Sequence, residues 1–311
     1  MRWVVAGYGD VVRRRVVPAL RELGQDVVGL CGRRAEGAAA VAAALDVPRS
    51  GSDLAPLLAG ADAVYVATPV AGHLPAAALA RRAGRHVVVE KPVCGALAPE
   101  PTDLAALAGS GGPVVAVAYY RRLAPAVRLL GERLAGVAVR EVRVRFRAAF
   151  DPAPDHPMHW RTVRAVSGGG VLADAGSHRV DLLCALLGRP SRVGGVLSGH
   201  FPGGAERRAE LVLGWPGGAV AELDLAWADG PAADRLEVVF DGGRAVLDPL
   251  DGGALRWRDR SGERVTHLPG PANPHVPLLA DVLGAVRDGS PPACPLEAGL
   301  LVDEVIRAVT G

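Results

Sequence analysis

The first third of the chain alternates short apolar strands with alanine-rich helices, and this alternation constrains the fold more than any other feature. Strands are predicted over about residues 2–6, 26–31, 63–67, 86–89 and 113–118, and helices over about 12–23, 35–45, 72–84 and 99–109. The strands are continuously apolar, which is typical of parallel strands buried on both faces. The sequence therefore predicts a doubly wound α/β domain with a parallel sheet over residues 1–120.

The pattern changes after about residue 121. Residues 142–147 alternate arginine with apolar side chains, as a strand with one buried face does. Further strands are predicted at about 191–200, 207–215, 219–227, 234–240 and 244–248, with glycine turns at 217–218 and 241–243 and helices over about 275–288 and 296–309. Residues 121–311 are thus predicted to form an α+β domain on a large, mostly antiparallel, open-faced sheet.

Composition narrows the classes of partner. The 311 residues carry a net charge of +2 and 4% aromatic side chains, which disfavours nucleic acid as a partner. No apolar run reaches about 18 residues without a charge, proline or glycine, so no membrane association is expected. The four cysteines lie far apart without a CxxC pair, which predicts neither a disulfide nor a metal site. We expect a cytoplasmic protein with reduced thiols.

A glycine turn joins the first strand to the first helix. Gly7 and Gly9 are followed by Asp10 and Val11, where the backbone must turn tightly and a helix N-terminus can receive a pyrophosphate. Val12 stands where the full fingerprint has a third glycine or alanine. The turn therefore predicts a dinucleotide site, with a tight turn that binds nothing as the alternative.

The end of the second strand bears on which dinucleotide is used. An acid here normally binds the ribose hydroxyls of NAD, but this chain reads Gly32-Arg33-Arg34. Because arginines accommodate a 2′-phosphate, Arg33 and Arg34 favour NADP(H), with NAD as the alternative cofactor. The two arginines would otherwise be a solvated helix start.

Lys91 is the only lysine among the 35 basic side chains. Asparagine, glutamine and isoleucine are equally rare, so a GC-rich coding bias explains the scarcity in part. A guanidinium keeps its proton near neutral pH, whereas a partly buried ammonium can be tuned to release it. Lys91 is therefore a candidate catalytic residue.

Several segments together resemble the Gfo/Idh/MocA family, named after glucose-fructose oxidoreductase and inositol dehydrogenase. The segments are Ala67-Thr68-Pro69 with His73, residues 84–92 ending in Glu90-Lys91-Pro92, residues 119–122, Gly168-Gly169-Gly170 through Asp174 to His178, and residues 273–275. The resemblance covers nearly the whole chain. It implies a Rossmann domain followed by an open-faced antiparallel sheet domain.

The resemblance also implies where ligands bind. It places Thr68, Pro69, His73, Glu90, Lys91 and Pro92 near the cofactor, and it implies that the Lys91–Pro92 peptide is often cis. His73 is otherwise a helix-capping residue. The side chains that it brings to the substrate are Tyr119, Arg122, Trp160, Arg161, Asp174, His178 and His275.

Asp174 and His178 are four residues apart on a predicted helix, which puts both on one face. Hydride transfer from a secondary alcohol requires loss of the hydroxyl proton. We predict that His178 is the acid/base, that Lys91 donates a hydrogen bond to the substrate oxygen and relays its proton, and that Asp174 positions them. The division of roles between Lys91 and His178 stays open, and a buried structural histidine is the alternative for His178.

The resulting expectation is an NADP(H)-preferring oxidoreductase acting on a secondary alcohol or ketone of a sugar, cyclitol or related polyhydroxylated ring. Two alternatives remain. One is a non-catalytic dinucleotide-binding sensor of the same fold, and the other is a reductase of an imine or conjugated double bond. A homodimer or homotetramer is expected, because sheet-to-sheet association is common in such enzymes.

Overall fold

The computed structural model describes residues 1–109 and 111–310, which form two compact units. The first unit contains the described residues of 1–120 together with residues 271–300. The second contains residues 121–270 and the described residues from 301 onward. The boundary after residue 120 coincides with the predicted one, but residues 271–300 were expected in the second domain.

The first unit is built on a six-stranded parallel sheet. Its strands are β1 (Arg2–Ala6), β2 (Asp26–Cys31), β3 (Ser50–Gly51), β4 (Ala63–Val66), β5 (His86–Val89) and β6 (Val115–Val117), in the order β3-β2-β1-β4-β5-β6. This is the Rossmann order, and the predicted doubly wound sheet is confirmed. Every residue of β4 is buried, as a strand covered on both faces requires.

Helices connect these parallel strands. A π-helical turn, Val12–Val16, leads directly into α1 (Val17–Glu22), and it is followed by α2 (Ala35–Ala44), α3 (His73–Arg82) and α4 (Pro101–Leu107). Each helix lies close to where the alanine-rich segments predict it. The π-helical turn follows the glycine turn directly, and such turns are frequent at functional sites.

The second unit is built on an eight-stranded mixed sheet. Its strands are β7 (Val139–Ala148), β8 (Arg192–His200), β9 (Glu206–Gly214), β10 (Val220–Trp227), β11 (Ala233–Phe240), β12 (Gly243–Leu247), β13 (Ala254–Asp259) and β14 (Gly262–His267). Their order is β14-β13-β12-β11-β7-β10-β9-β8. β7 and β10 pair in parallel, and the other neighbouring strands pair antiparallel. The mostly antiparallel sheet is as predicted, but β13 and β14 were not anticipated.

The two faces of this sheet differ in character. Along β7, Val142 and Val144 are buried while Arg143 and Arg145 are exposed, which follows from the period-two alternation. The helices of the unit are α5 (Pro125–Leu134), α6 (Arg164–Ser167) and α7 (Ser177–Leu187), and a π-helical turn, Leu172–Gly176, leads into α7. One face of the sheet is therefore apolar, and the other exposes charged side chains.

Two closing helices follow, α8 (His275–Asp288) and α9 (Leu296–Thr310). Hydrogen bonds join the segment before α9 to the first unit. The side-chain amide of Asn273 donates to the carbonyl oxygen of Arg15 at 2.8 Å, and the backbone amide of Val117 donates to the carbonyl oxygen of Cys294 at 2.9 Å. The assignment of residues 271–300 to the second domain was wrong, because these contacts join positions too far apart along the chain to be seen in local periodicity. Over the part of the chain that the structure describes, no helix combines the length and apolarity needed to cross a bilayer.

Candidate active site

The turn after β1 is shaped by its glycines. Gly7 has a φ of +119°, and a Cβ atom there would lie 2.2 Å from the carbonyl oxygen of Ala67, so only glycine fits beside the end of β4. The amide of Gly7 donates to the carbonyl of Cys31 at 2.7 Å, which fixes the turn against β2. At Gly9 no atom lies within 4 Å of a Cβ position, so the space beside the helix start is open.

The surroundings of this turn fit a dinucleotide. The hydroxyl of Thr68, in the loop after β4, is buried and has no hydrogen-bond partner among the described residues. Asp10 at the helix start pairs with Arg13 at 2.5 Å, and Val12, in place of the third glycine, is fully buried. A pyrophosphate would fit the open space beside the helix N-terminus, and a bound dinucleotide would offer polar groups to the unsatisfied hydroxyl of Thr68.

Arg33 and Arg34 lie between β2 and α2, and both are exposed. Arg34 is the residue before the first turn of α2. No acidic side chain stands at residues 30–34. The two guanidinium groups are thus available at the end of the strand where nucleotide-binding chains recognise the ribose.

Glu90 forms a buried polar cluster at the end of β5. Its Oε1 accepts a hydrogen bond from the hydroxyl of Tyr65 at 2.8 Å and lies 3.3 Å from Nε2 of His275, and its Oε2 accepts from the amide of Lys91 at 3.3 Å. Burial raises the pKa of Glu90, but His275, Lys91 and Tyr65 outweigh burial and hold it below its usual value. The carboxylate is therefore ionised next to Lys91. Tyr65 was not predicted, since its contact with Glu90 joins two neighbouring strands.

His73 bridges two loops at the ends of neighbouring strands. Its Nδ1 lies 2.8 Å from the carbonyl oxygen of Pro92, and its Nε2 lies 2.7 Å from that of Thr68. Burial lowers the pKa of His73 and outweighs the raising effect of these carbonyls and of Glu90. The residue thus ties the loop after β4 to the loop after Lys91, whose peptide bond to Pro92 is cis.

The glycine run of the second unit is held by Glu206, at the start of β9. Its carboxylate accepts from the amide of Gly170 at 2.7 Å and from that of Leu172 at 2.9 Å. A Cβ atom on Gly170 would lie 1.9 Å from the carbonyl oxygen of Glu206, so the backbones cross where only glycine fits. Glu206 is buried and caps the helical run that carries Asp174 and His178. Sequence reasoning missed it, since its partners lie more than thirty residues away.

Asp174 and His178 occupy the helical run that follows this glycine segment. Asp174 lies in the π-helical turn, where its Oδ2 accepts from the guanidinium of Arg161 at 2.8 Å. His178 lies in the first turn of α7 and is buried. Arg161 also packs over the ring of Trp160, with 5.5 Å between the guanidinium carbon and the ring centroid. The structure thus brings together Asp174, Arg161 and Trp160 of the predicted site residues.

Arg122 forms a buried ion pair with Asp181, which lies about one turn after His178 in α7. Its Nε lies 2.9 Å from both carboxylate oxygens of Asp181, and its Nη2 lies 2.6 Å from Oδ1. Asp181 is fully buried, and burial raises its pKa to about 6 against the lowering effect of Arg122. The guanidinium of Arg122, which was predicted to contact the substrate, thus binds a carboxylate of α7. Of the other predicted contacts, Tyr119 and His275 are buried in the first unit.

The raised pKa of Asp181 predicts a pH dependence of stability. Because the folded state binds this proton at higher pH than the unfolded chain does, the group stabilises the fold below about pH 4, and this stabilisation is lost as the pH rises through about 6. In Asp181→Asn this contribution disappears. We expect the difference in unfolding free energy between wild type and variant to fall by about 3 kcal/mol over this window, measured by urea denaturation.

Asp241→Asn is the matched control for this measurement. Asp241 is exposed, and its hydrogen bond to Arg140 lowers its pKa, so its effect has the opposite sign and is small. Equal pH dependence of wild type and Asp181→Asn between pH 4 and 6 would contradict the assignment.

The Rossmann fold and the open glycine turn define the class as a dinucleotide-binding protein, and the family models identify it as an oxidoreductase. Residues 1–119 match the family model described as "Oxidoreductase family, NAD-binding Rossmann fold", and residues 136–246 match the "GFO/IDH/MocA C-terminal domain". The chain belongs to the Gfo/Idh/MocA oxidoreductase family. The non-catalytic sensor considered from the sequence is thereby disfavoured.

Relatives of similar length support this assignment. The chain is 29% identical to 1,5-anhydro-D-fructose reductase of Ensifer adhaerens over 96% of this chain and 92% of the relative. It is 26% identical to D-xylose 1-dehydrogenase (NADP(+)) 2 of Haloferax volcanii over 99% and 96% of the two chains. A solved oxidoreductase domain protein from Kribbella flavida is 26% identical, with a TM-score of 0.88 over 99% of this chain and 95% of that chain.

Proposed function

We propose that this chain is an NADP(H)-preferring oxidoreductase for a secondary alcohol or ketone of a sugar, cyclitol or related polyhydroxylated ring. The observation that carries the proposal is Lys91, placed directly after β5 and beside the ionised carboxylate of Glu90. Two near-full-length relatives are named for reactions on sugars or sugar derivatives, which supports the substrate class. One of these names includes NADP(+), which supports the cofactor together with Arg33 and Arg34.

The cofactor would be held by the ends of the parallel strands. When bound, it supplies the nicotinamide ring that accepts or donates hydride. The turn around Gly7 and Gly9 would receive the pyrophosphate, and Arg33 and Arg34 the 2′-phosphate. The remaining residues assigned to the cofactor are Asp10, Val11, Thr68, Pro69, His73, Glu90, Lys91 and Pro92.

Proton transfer is assigned to three side chains. His178 takes the hydroxyl proton during oxidation and returns it during reduction, and Lys91 donates a hydrogen bond to the same substrate oxygen and relays the proton. Asp174, held by Arg161 at 2.8 Å, positions the groups that act on the substrate. Glu90 keeps a negative charge next to Lys91. Trp160, Arg161, Tyr119, Arg122 and His275 are the proposed further substrate-site residues.

The proposal is tested on the purified full chain. Titrations that follow nicotinamide fluorescence are expected to show NADPH binding at least about tenfold more tightly than NADH, a difference of about 1.4 kcal/mol. Assays on a panel of cyclic sugars, polyols and their ketones are then expected to show NADP(H)-dependent turnover. Tighter binding of NADH would overturn the cofactor preference, and binding without turnover on any member would overturn the substrate class.

We further propose that copies of the chain associate through the exposed face of the eight-stranded sheet. Val196, Val212 and Val265 are exposed there by 63%, 52% and 47%, among arginine and glutamate side chains. Sedimentation equilibrium is expected to give a dimer or tetramer of the 32.0 kDa chain. Replacing Val212 with arginine should shift the protein toward the monomer, and an unchanged mass would exclude this face as the interface.

A further inference from the structure

Tyr8, between the two glycines of the first turn, fills the space next to the end of β2. A Cβ atom built on Gly32 would lie 2.0 Å from Cδ1 and 2.1 Å from Cε1 of the Tyr8 ring. These distances are far below van der Waals contact. The ring therefore occupies the volume that any side chain at position 32 would need.

The opposite edge of the same ring reaches α2. A Cβ atom on Gly37 would lie 3.1 Å from the hydroxyl oxygen of Tyr8 and 3.2 Å from its Cζ. The ring thus spans the loop that contains Arg33 and Arg34, from the end of β2 to the first turn of α2. Two glycines, one at each end of this loop, make room for one aromatic side chain.

The backbone around Gly32 is fixed, so the clash has no simple relief. The amide of Gly32 donates to the carbonyl of Gly51 at 3.0 Å, and the neighbouring Cys31 carbonyl accepts from Gly7 at 2.7 Å. The φ of Gly32 lies outside the left-handed region, so a larger residue is excluded by the ring and not by the backbone conformation. A side chain at position 32 requires Tyr8 to move.

We propose that Tyr8 determines the cofactor specificity of this chain, an inference that rests on the proposed function and deepens it. In NAD-binding chains an acidic side chain about twenty residues after the glycine turn binds the ribose hydroxyls and repels a 2′-phosphate. Here the ring of Tyr8 takes the place of that side chain. The carboxylate is thus sterically excluded, which leaves the 2′ position to the arginines of the loop.

A double-mutant cycle tests this inference. Dissociation constants for NADPH and NADH are measured by fluorescence titration of wild type, Tyr8→Ala, Gly32→Asp and the double variant. Gly32→Asp alone is expected to weaken both cofactors by similar factors, since the displaced ring enters the subsite. In the double variant the carboxylate finds room, and the preference should move toward NADH at least about tenfold beyond the product of the single changes.

The outcomes separate this inference from the function on which it rests. A full switch of preference in Gly32→Asp alone, or independent effects of the two changes, would overturn the role of Tyr8 while leaving the oxidoreductase assignment intact. Failure of wild type to bind either cofactor would overturn the proposed function and this inference with it. Glu36→Gln, at an exposed acid of the first turn of α2, is the control and should leave the preference within about twofold.

Thermal unfolding tests the same inference without cofactor, and it uses a smaller substitution in case Gly32→Asp folds poorly. Gly32→Ala adds only the Cβ atom that meets the ring, so we expect it to lower the midpoint of thermal unfolding. Combining it with Tyr8→Ala should restore most of this loss, because the obstructing ring is gone. Equal midpoints for Gly32→Ala and wild type would show that the ring leaves its place freely, and would overturn the inference.

Discussion

Replacing Lys91 with arginine is expected to lower kcat by about a thousandfold while changing the affinity for the dinucleotide by less than about threefold. Arginine keeps the positive charge next to Glu90, but a guanidinium does not release its proton near neutral pH. The change therefore removes proton transfer and retains the electrostatics of the site. Steady-state kinetics on a turned-over substrate and a fluorescence titration of cofactor measure the two effects separately.

Arg82→Lys is the matched control for this variant. Arg82 is an exposed cation at the end of α3 that pairs with Asp103 at 3.2 Å. Exchanging the two types of cation at that position should leave kcat within about twofold of wild type. Unchanged turnover in Lys91→Arg would remove Lys91 from the proton-transfer step and leave His178 as its candidate.

Replacing Glu206 with alanine is expected to lower the unfolding free energy by about 3 to 5 kcal/mol. The change leaves the buried amides of Gly170 and Leu172 without their carboxylate acceptor. Because these amides begin the helical run that carries Asp174 and His178, kcat should fall as well. Urea denaturation measures the unfolding free energy. The kcat measured at a urea concentration well below the unfolding transition gives the loss of activity in the folded variant.

Two further variants of β9 serve as comparisons for Glu206→Ala. Glu206→Gln keeps one amide oxygen as acceptor and should recover part of the loss. Glu210→Ala removes an exposed acid of the same strand, paired with Arg208 at 2.7 Å, and should change the unfolding free energy by less than about 0.5 kcal/mol. If Glu206→Ala were no worse than Glu210→Ala, the capping role of Glu206 would be wrong.

Features set by neighbouring residues were predictable from the sequence. Five of the six strands of residues 1–120 follow from apolar runs and the helices α1 to α4 from alanine-rich segments, whereas the two-residue strand β3 was not predicted. The turn around Gly7 and Gly9 follows from its place between a strand and a helix. The alternation of residues 142–147 identified the centre of β7, which extends over Val139–Ala148. The resemblance to the family is likewise carried by short motifs, such as Glu90-Lys91-Pro92.

Features that depend on distant residues were not predictable. In the sequence Glu206 is one of several charged residues at the start of a strand, and no neighbouring residue indicates that it binds the backbone of the glycine run. Tyr8 and Gly32 are each unremarkable alone, and only the fold shows that one fills the space of the other. The same holds for Tyr65 and His275, which meet Glu90 from another strand and from α8.

β13 and β14 were missed for a different reason. The segment Arg256-Trp257-Arg258 and the residues of β14 are largely polar, and β14 is exposed along most of its length. A strand near the sheet edge buries little apolar surface, so its hydrophobic alternation is weak. The positions of both strands are set by pairing, since β13 pairs with β12 and β14 pairs with β13, and local sequence does not show this pairing.

The first unit is discontinuous along the chain, and its parts therefore emerge at different times during synthesis from the N-terminus. Glu90 is made 185 residues ahead of His275, and the whole sheet of the second unit lies between them. Domains generally fold as units as they leave the ribosome. The nucleotide-binding unit is thus completed only after the whole sheet of the second unit has been made, and a nascent chain halted before residue 300 would lack part of it.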